Sequence, residues 1–155
     1  MANWKQTLGM WGFAITKVPL IAFVRPSILR VDDKECEIKI PLNFWTRNHL
    51  KSMYFGTLAV GADVAGGLIA LEMIKRSKKK VQFVFKNFEA DFLKRPEADV
   101  HFICKEGGRI KKQLQETLKT KKRVTRDLEI IAVCPSISEE PVAKFTLGLS
   151  LKAQA

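Results

Sequence analysis

Cysteine and histidine are scarce in this chain of 155 residues: Cys36, Cys104 and Cys134 form no C-x-x-C pair, and only two histidines stand beside them. That excludes a disulfide framework and gives no zinc cluster. Nine glycines and six prolines are too few for a collagen-like or low-complexity chain. Acid is short as well, 16 Asp plus Glu against 27 Lys plus Arg, so the net charge is +11. Such a surplus favours an anionic partner without naming one. With 46% hydrophobic residues the chain has the means to fold. The length suits one domain, 1–155, with a helical segment at 1–25. Free thiols fit a reducing compartment, and Met1–Lys5 does not have the pattern of a signal peptide, so a cytoplasmic protein is expected.

The apolar run from Tyr54 to Ile74 is long enough for a membrane span. Asp63 near its middle, Glu72 near its end and a series of Gly and Ala predict instead a helix enclosed by protein, over about Phe55 to Lys75. Apolar and small residues occupy nearly its whole circumference, the mark of a buried helix. Its interior glycines, Gly61, Gly66 and Gly67, each cost about 1 kcal/mol of helix propensity, a cost tolerated where another group must approach the backbone closely. Upstream, Trp4, Leu8, Trp11 and Ile15 predict an amphipathic helix lying across a sheet or over a pocket mouth, stopped by Pro19.

The remaining segments read as strands. Ile28–Val31 and Glu35–Pro41 form a hairpin across Asp32-Asp33-Lys34. Val81, Phe83 and Phe85 share one parity and Phe88, Ala90 and Phe92 the other, which predicts a bulge near Asn87 that restores the apolar face. Val100–Cys104 alternates next, a peripheral helix or long turn follows Gly107-Gly108, and two more strands run from Val124 and up to Leu151. The order predicts an α+β domain, a curved antiparallel sheet around one long helix, with a sheet edge that a second copy could cover.

Asp63 is the one ionisable residue between Leu58 and Leu71, where an unpaired carboxylate costs several kcal/mol of desolvation. Either it caps a neighbouring backbone or pairs with a cation such as Arg47, or it does chemistry: a desolvated carboxyl can take a proton from water or attack an acyl carbon. His49 is a loop residue or a catalytic or metal-binding one, with no second ligand at a fitting spacing. His101, alternating outward on a strand, reads as a surface residue.

The segment Asn48 to Gly67 resembles the hotdog-fold thioesterases, in particular an uncharacterised branch close to the phenylacetyl-CoA-thioesterase-like group. That group has an Asn, a His-Gly-Gly six residues later and an acidic residue nine beyond the His. Here Asn48 precedes Tyr54-Phe55-Gly56 by that interval, and Asp63 stands nine after Tyr54. Tyr54 replaces the His, Phe55 the first Gly, and Lys51 stands where Gly is common. The resemblance implies a hotdog fold and hydrolysis of an acyl thioester. Asp63 would be base or nucleophile, Gly56 would offer its N–H to the thioester oxygen, and Asn48 would orient the loop or the attacking water. His49, Tyr54, Phe55 and Gly67 would contact substrate, with the acyl chain in a tunnel lined by Phe, Leu and Gly. The alternative is a module of the same fold that binds acyl-CoA or fatty acid without cleaving it.

The resemblance further implies a homodimer or homotetramer acting on an acyl group carried by coenzyme A or acyl carrier protein, with no cofactor beyond coenzyme A as part of the substrate. A few cations of the clusters Arg76–Lys80 and Arg109–Arg126 would hold its phosphates. Nucleic acid is not expected, because the aromatic residues read as core-facing and leave no stacking platform. Membrane contact is not expected either, its one route being the Trp4/Trp11 helix with the basic surface.

Overall fold

The computed structural model describes residues 3–155; the first two residues of the predicted N-terminal segment lie outside the described residues. Two helices open the chain, α1 (Trp4–Lys17) and α2 (Pro19–Phe23), followed by β1 (Ser27–Val31), β2 (Cys36–Ile40), α3 (Phe55–Ser77), β3 (Val81–Phe92), β4 (Val100–Cys104), α4 (Gly107–Thr120), β5 (Val124–Cys134) and β6 (Ser138–Ala153). The strands form one antiparallel sheet of order β1-β2-β4-β5-β6-β3.

The sheet's inner face is set by strand parity. Cys36, Ile38 and Ile40 sit opposite Cys104, Phe102 and Val100, and all six are fully buried. Leu147, Leu149 and Leu151 continue that face on β6. The sheet curls around α3, which packs on β2, β4, β5 and β6. By length and composition α3 could cross a bilayer, but its residues are mostly buried against the sheet. Close approach explains Gly61: a Cβ there would lie 2.3 Å from Cζ of the buried Phe102.

The bulge falls where the parity places it, between Phe85 and Phe88, as β3 runs along β6. It does not carry the apolar face inward again, because Phe88 and Phe92 stay about half exposed and touch the core through Phe145, Phe88 by a tilted and Phe92 by an edge-to-face contact. Pro19 ends α1 and also begins α2, the first-turn position where a missing N–H costs nothing.

The N-terminal helix departs from its predicted orientation. Trp4, Leu8 and Ile15 face solvent, and Met10 and Ala14 are buried instead. Tertiary hydrogen bonds select this face. Trp11 Nε1–H donates to the Pro26 carbonyl at 2.8 Å, the Ile28 N–H donates to Thr7 Oγ1 at 3.0 Å, and the Asn3 N–H donates to the Ile28 carbonyl at 2.7 Å. These bonds occupy the outer edge of β1, so that edge is blunted and β3 is the open edge of the sheet.

Candidate functional site

Strands β1 and β3 stand at opposite ends of the sheet order, yet both contribute to the wall of one cavity of about 570 Å³ between α1–α2 and α3. Its wall is mainly apolar, with Phe13, Leu68, Phe83 and Phe85 among the side chains. Four polar side chains interrupt it: Gln6, Asp63, Glu72 and Lys75. Glu72 and Lys75 form an ion pair at 3.6 Å.

Asp63 makes no hydrogen bond and no ion pair among the described residues; Arg47, the partner considered for it, lies instead over the Phe44 ring at 5.5 Å. Burial pushes the Asp63 carboxyl above its ordinary range, because the charged form loses hydration that nothing replaces. Gln6 Oε1 is likewise buried without a partner. Gln6 and the half-buried Asp63 thus stand on one apolar wall without protein partners, and a polar group bound in the cavity would supply them.

A second hollow of about 480 Å³ lies at the N-terminus of α3 and takes in Asn48, His49, Tyr54 and Phe55. Asn48 Oδ1 accepts from the N–H groups of Leu50 at 2.9 Å and Ser52 at 3.2 Å, tying a loop in which Lys51 adopts φ 63°. Asn48 therefore orients the loop, and its oxygen is committed there. The Tyr54 N–H is held by the Thr46 carbonyl at 2.9 Å, and the Tyr54 carbonyl accepts the first helical bond, from Leu58, at 3.1 Å. The N–H groups of Phe55, Gly56 and Thr57 in the first turn have no intrahelical acceptor. The Tyr54 ring covers Gly56 so closely that a Cβ there would lie 2.4 Å from Tyr54 Cε1.

The residues predicted for one site thus divide into two groups. Asp63 and Gly67 line the larger cavity, whereas Asn48, His49, Tyr54 and Phe55 line the smaller. Gly56 and Asp63 share a face of α3, but seven residues at 1.5 Å each separate them by about 10 Å along the axis. His49 is exposed, and no group of His, Cys, Asp and Glu fit for a metal occurs among the described residues. His101 is not a plain surface residue: it is half-buried, with Nδ1 at 2.7 Å from Glu37 Oε1. The predicted basic clusters do not reach either hollow. Arg109 and Arg126 pair with Glu106 and Glu116, and the cations on the two walls are Lys75, Lys94 and Arg95.

Gln6 escaped the sequence reading. The stripe Gln6, Met10, Ala14 is as helical in spacing as Trp4, Leu8, Trp11, Ile15, and the more apolar stripe was the wrong guide to the inner face.

The family model described as DUF4442, a domain of unknown function, matches residues 10–132. The chain belongs to this family. The match spans α1 to β5 and includes Asp63 and the whole Asn48–Gly67 segment. No curated protein matches the chain. Among solved structures, a Chlorobaculum tepidum protein of unknown function is 12% identical with a TM-score of 0.83, covering 99% of this chain and 98% of its own. A mutant thioesterase from Pseudomonas aeruginosa is 12% identical with a TM-score of 0.69, covering 97% and 94%. A thioesterase from Haemophilus influenzae is 11% identical with a TM-score of 0.67, covering 90% and 86%. This DUF4442 chain therefore shares the fold of these structures, the hotdog fold expected from the sequence.

Proposed function

We propose that this DUF4442 protein is a thioesterase acting on an acyl thioester carried by coenzyme A or acyl carrier protein. The observation that carries the reading is Asp63, an unpartnered, partly buried carboxyl in the wall of the apolar cavity. The acyl chain fills the cavity beneath α1, and the thioester carbonyl lies at Asp63. A carboxyl raised above its ordinary pKa is a stronger base when ionised, so Asp63 takes a proton from the attacking water. Water adds to the carbonyl carbon, and the tetrahedral intermediate expels the thiolate, which leaves with the proton.

The thioester oxygen needs donors that Asp63 does not provide. The first-turn N–H groups at Gly56 suit it by charge and geometry but lie about 10 Å away in the same chain. A homo-oligomer resolves this. Pairing through the open β3 edge brings a second chain to the cavity wall formed by Phe83 and Phe85, so Asp63 of one protomer works with the partner's donors. Three buried free thiols agree with a reducing compartment such as the cytoplasm.

One observation favours the second reading, an acyl-binding module without turnover: the Tyr54 ring lies against Gly56 and narrows access to its N–H. A thioesterase assay across acyl-CoA chain lengths, with wild type and Asp63→Asn, separates the two. An enzyme loses at least about a hundredfold in kcat with Asp63→Asn, the scale of a general base. If wild type hydrolyses no acyl thioester while native mass spectrometry finds acyl compound bound, the binding module is correct. Neither turnover nor binding would refute both.

A further inference from the structure

The outer face of the N-terminal unit has no partner in the fold. At 100° per residue, Trp4, Leu8 and Ile15 fall within about 40° of one another on α1, and they are 64%, 59% and 62% exposed. Beyond α2, Phe23 meets Trp45 edge to face at 5.5 Å and Trp45 meets Phe44 at 5.4 Å, with both loop rings mostly in solvent. The Arg47 guanidinium sits over the Phe44 ring. Aromatic side chains of this size normally go into a core, so two such exposed groups in one region mark an interaction surface.

Charge identifies the occupant. Residues 3–31 contain no Asp or Glu, and neither do residues 41–55. The exposed cations there are Lys5, Lys17, Arg25, Arg30, Arg47 and Lys51; Arg30 pairs with Asp32 and Glu35, and the other five form no ion pair among the described residues. A second copy would set the same cations against one another in a two-fold interface. Tryptophan and phenylalanine rings among lysines and arginines, on segments that carry no acid of their own, are the composition of a surface that settles into lipid headgroups.

We propose that the outer face of α1 and α2, together with the Phe44–Lys51 loop, docks on an anionic phospholipid membrane. The rings enter the headgroup layer and the cations meet lipid phosphate and carboxylate groups. Helix α1 then does two things, since its other side walls the cavity through Gln6, Met10 and Ala14. Docking does not depend on hydrolysis at Asp63.

The test is co-sedimentation with vesicles of phosphatidylcholine alone and of phosphatidylcholine with about 30% phosphatidylglycerol. Wild type binds the anionic vesicles selectively and is released near 1 M salt, where screening shortens to about 3 Å. Lys5→Gln with Arg47→Gln weakens binding about 25-fold, a factor of about five for each cation. Phe44→Ser with Trp45→Ser weakens it at least about tenfold, while circular dichroism stays that of wild type because these side chains are exposed. Asp63→Asn binds like wild type, which separates this proposal from the hydrolysis reading. Equal binding to neutral and anionic vesicles, or unchanged binding by the folded variants, overturns it. So does sedimentation showing that Phe44→Ser with Trp45→Ser splits an oligomer of a protein that ignores vesicles, because a second copy then covers the face.

Discussion

Replacing Gly61 by Ala tests whether the contact between α3 and the sheet is set by a missing methyl group. In an ordinary helix interior the change stabilises by about 1 kcal/mol, through propensity alone. Here the new Cβ lies 2.3, 2.4 and 2.5 Å from three atoms of the Phe102 ring, where carbon atoms prefer about 3.5–4.0 Å. Phe102 has no room to withdraw, being fully buried with its ring centroid 6.5 Å from that of Phe145. Overpacking of this kind costs about 1–3 kcal/mol, so the net change is a destabilisation of up to about 2 kcal/mol. That is a loss of at most about 4–8 °C in Tm for a chain of this size. Urea unfolding of Gly61→Ala, Phe102→Leu and the double variant forms a cycle, and the smaller ring-free side chain relieves the clash. The double variant is then more stable than the sum of the single effects by about 1 kcal/mol or more. Gly12→Ala is the control, because nothing lies within 4 Å of its added Cβ. If Gly61→Ala stabilises as much as Gly12→Ala, or the cycle shows no coupling, the packing argument is refuted.

The Asp63 carboxyl has a folded pKa above its unfolded value, so its contribution to stability is fully present below the unfolded pKa and is lost as pH rises through the folded pKa. Asp63→Asn is therefore more stable than wild type at neutral pH, and the difference shrinks toward pH 3 in denaturant titrations; a constant difference would contradict the burial. Asp32 has the opposite sign: backbone N–H groups of Lys34 and Glu35 hold it down to about 2. Asp32→Ala thus removes stability that wild type keeps above the ordinary carboxylate range and loses toward pH 2, read by acid unfolding followed by circular dichroism. Burial raises the thiols of Cys36 and Cys104, the latter to about 11. A chromogenic disulfide reagent should find neither thiol in the native protein at pH 8 and both after unfolding, and rapid native labelling would show that the β2–β4 core opens readily.

The strands and α3 were legible in the sequence because their burial repeats with the backbone period. Cys36–Ile40 and Val100–Cys104 alternate on the page as they do in the sheet, and the parity change in β3 located the bulge before any register was known. Helix α1 was legible as a helix but not in orientation, because it has apolar residues on two faces and the deciding hydrogen bonds come from Pro26 and Ile28. His101 was misread for the same reason: its parity points away from the core, but the neighbouring strand supplies Glu37. The candidate site was legible in part. The spacing from Asn48 to Asp63 is a linear motif, and α3 extends it over two turns, so its two ends open into different hollows. Asp63 stood out because a lone acid in an apolar helix is visible in one dimension, whereas Gln6 joins it only through the fold.

The strand order also orders the events of folding. Strands β5 and β6 are joined by residues 135–137 alone and pair over most of their length, so this hairpin closes early and at little entropic cost. Val81 must then find Ala153, and Cys36 must find Cys104, across long stretches of intervening chain. High contact order of this kind slows folding. On this topology the β5–β6 ribbon is expected to present the surface on which α3 condenses and the N-terminal helices to dock after β1 has joined β2, since Ile28 of β1 and the preceding Pro26 supply the carbonyls they bind. Substitutions in α1 should then change unfolding rates more than folding rates.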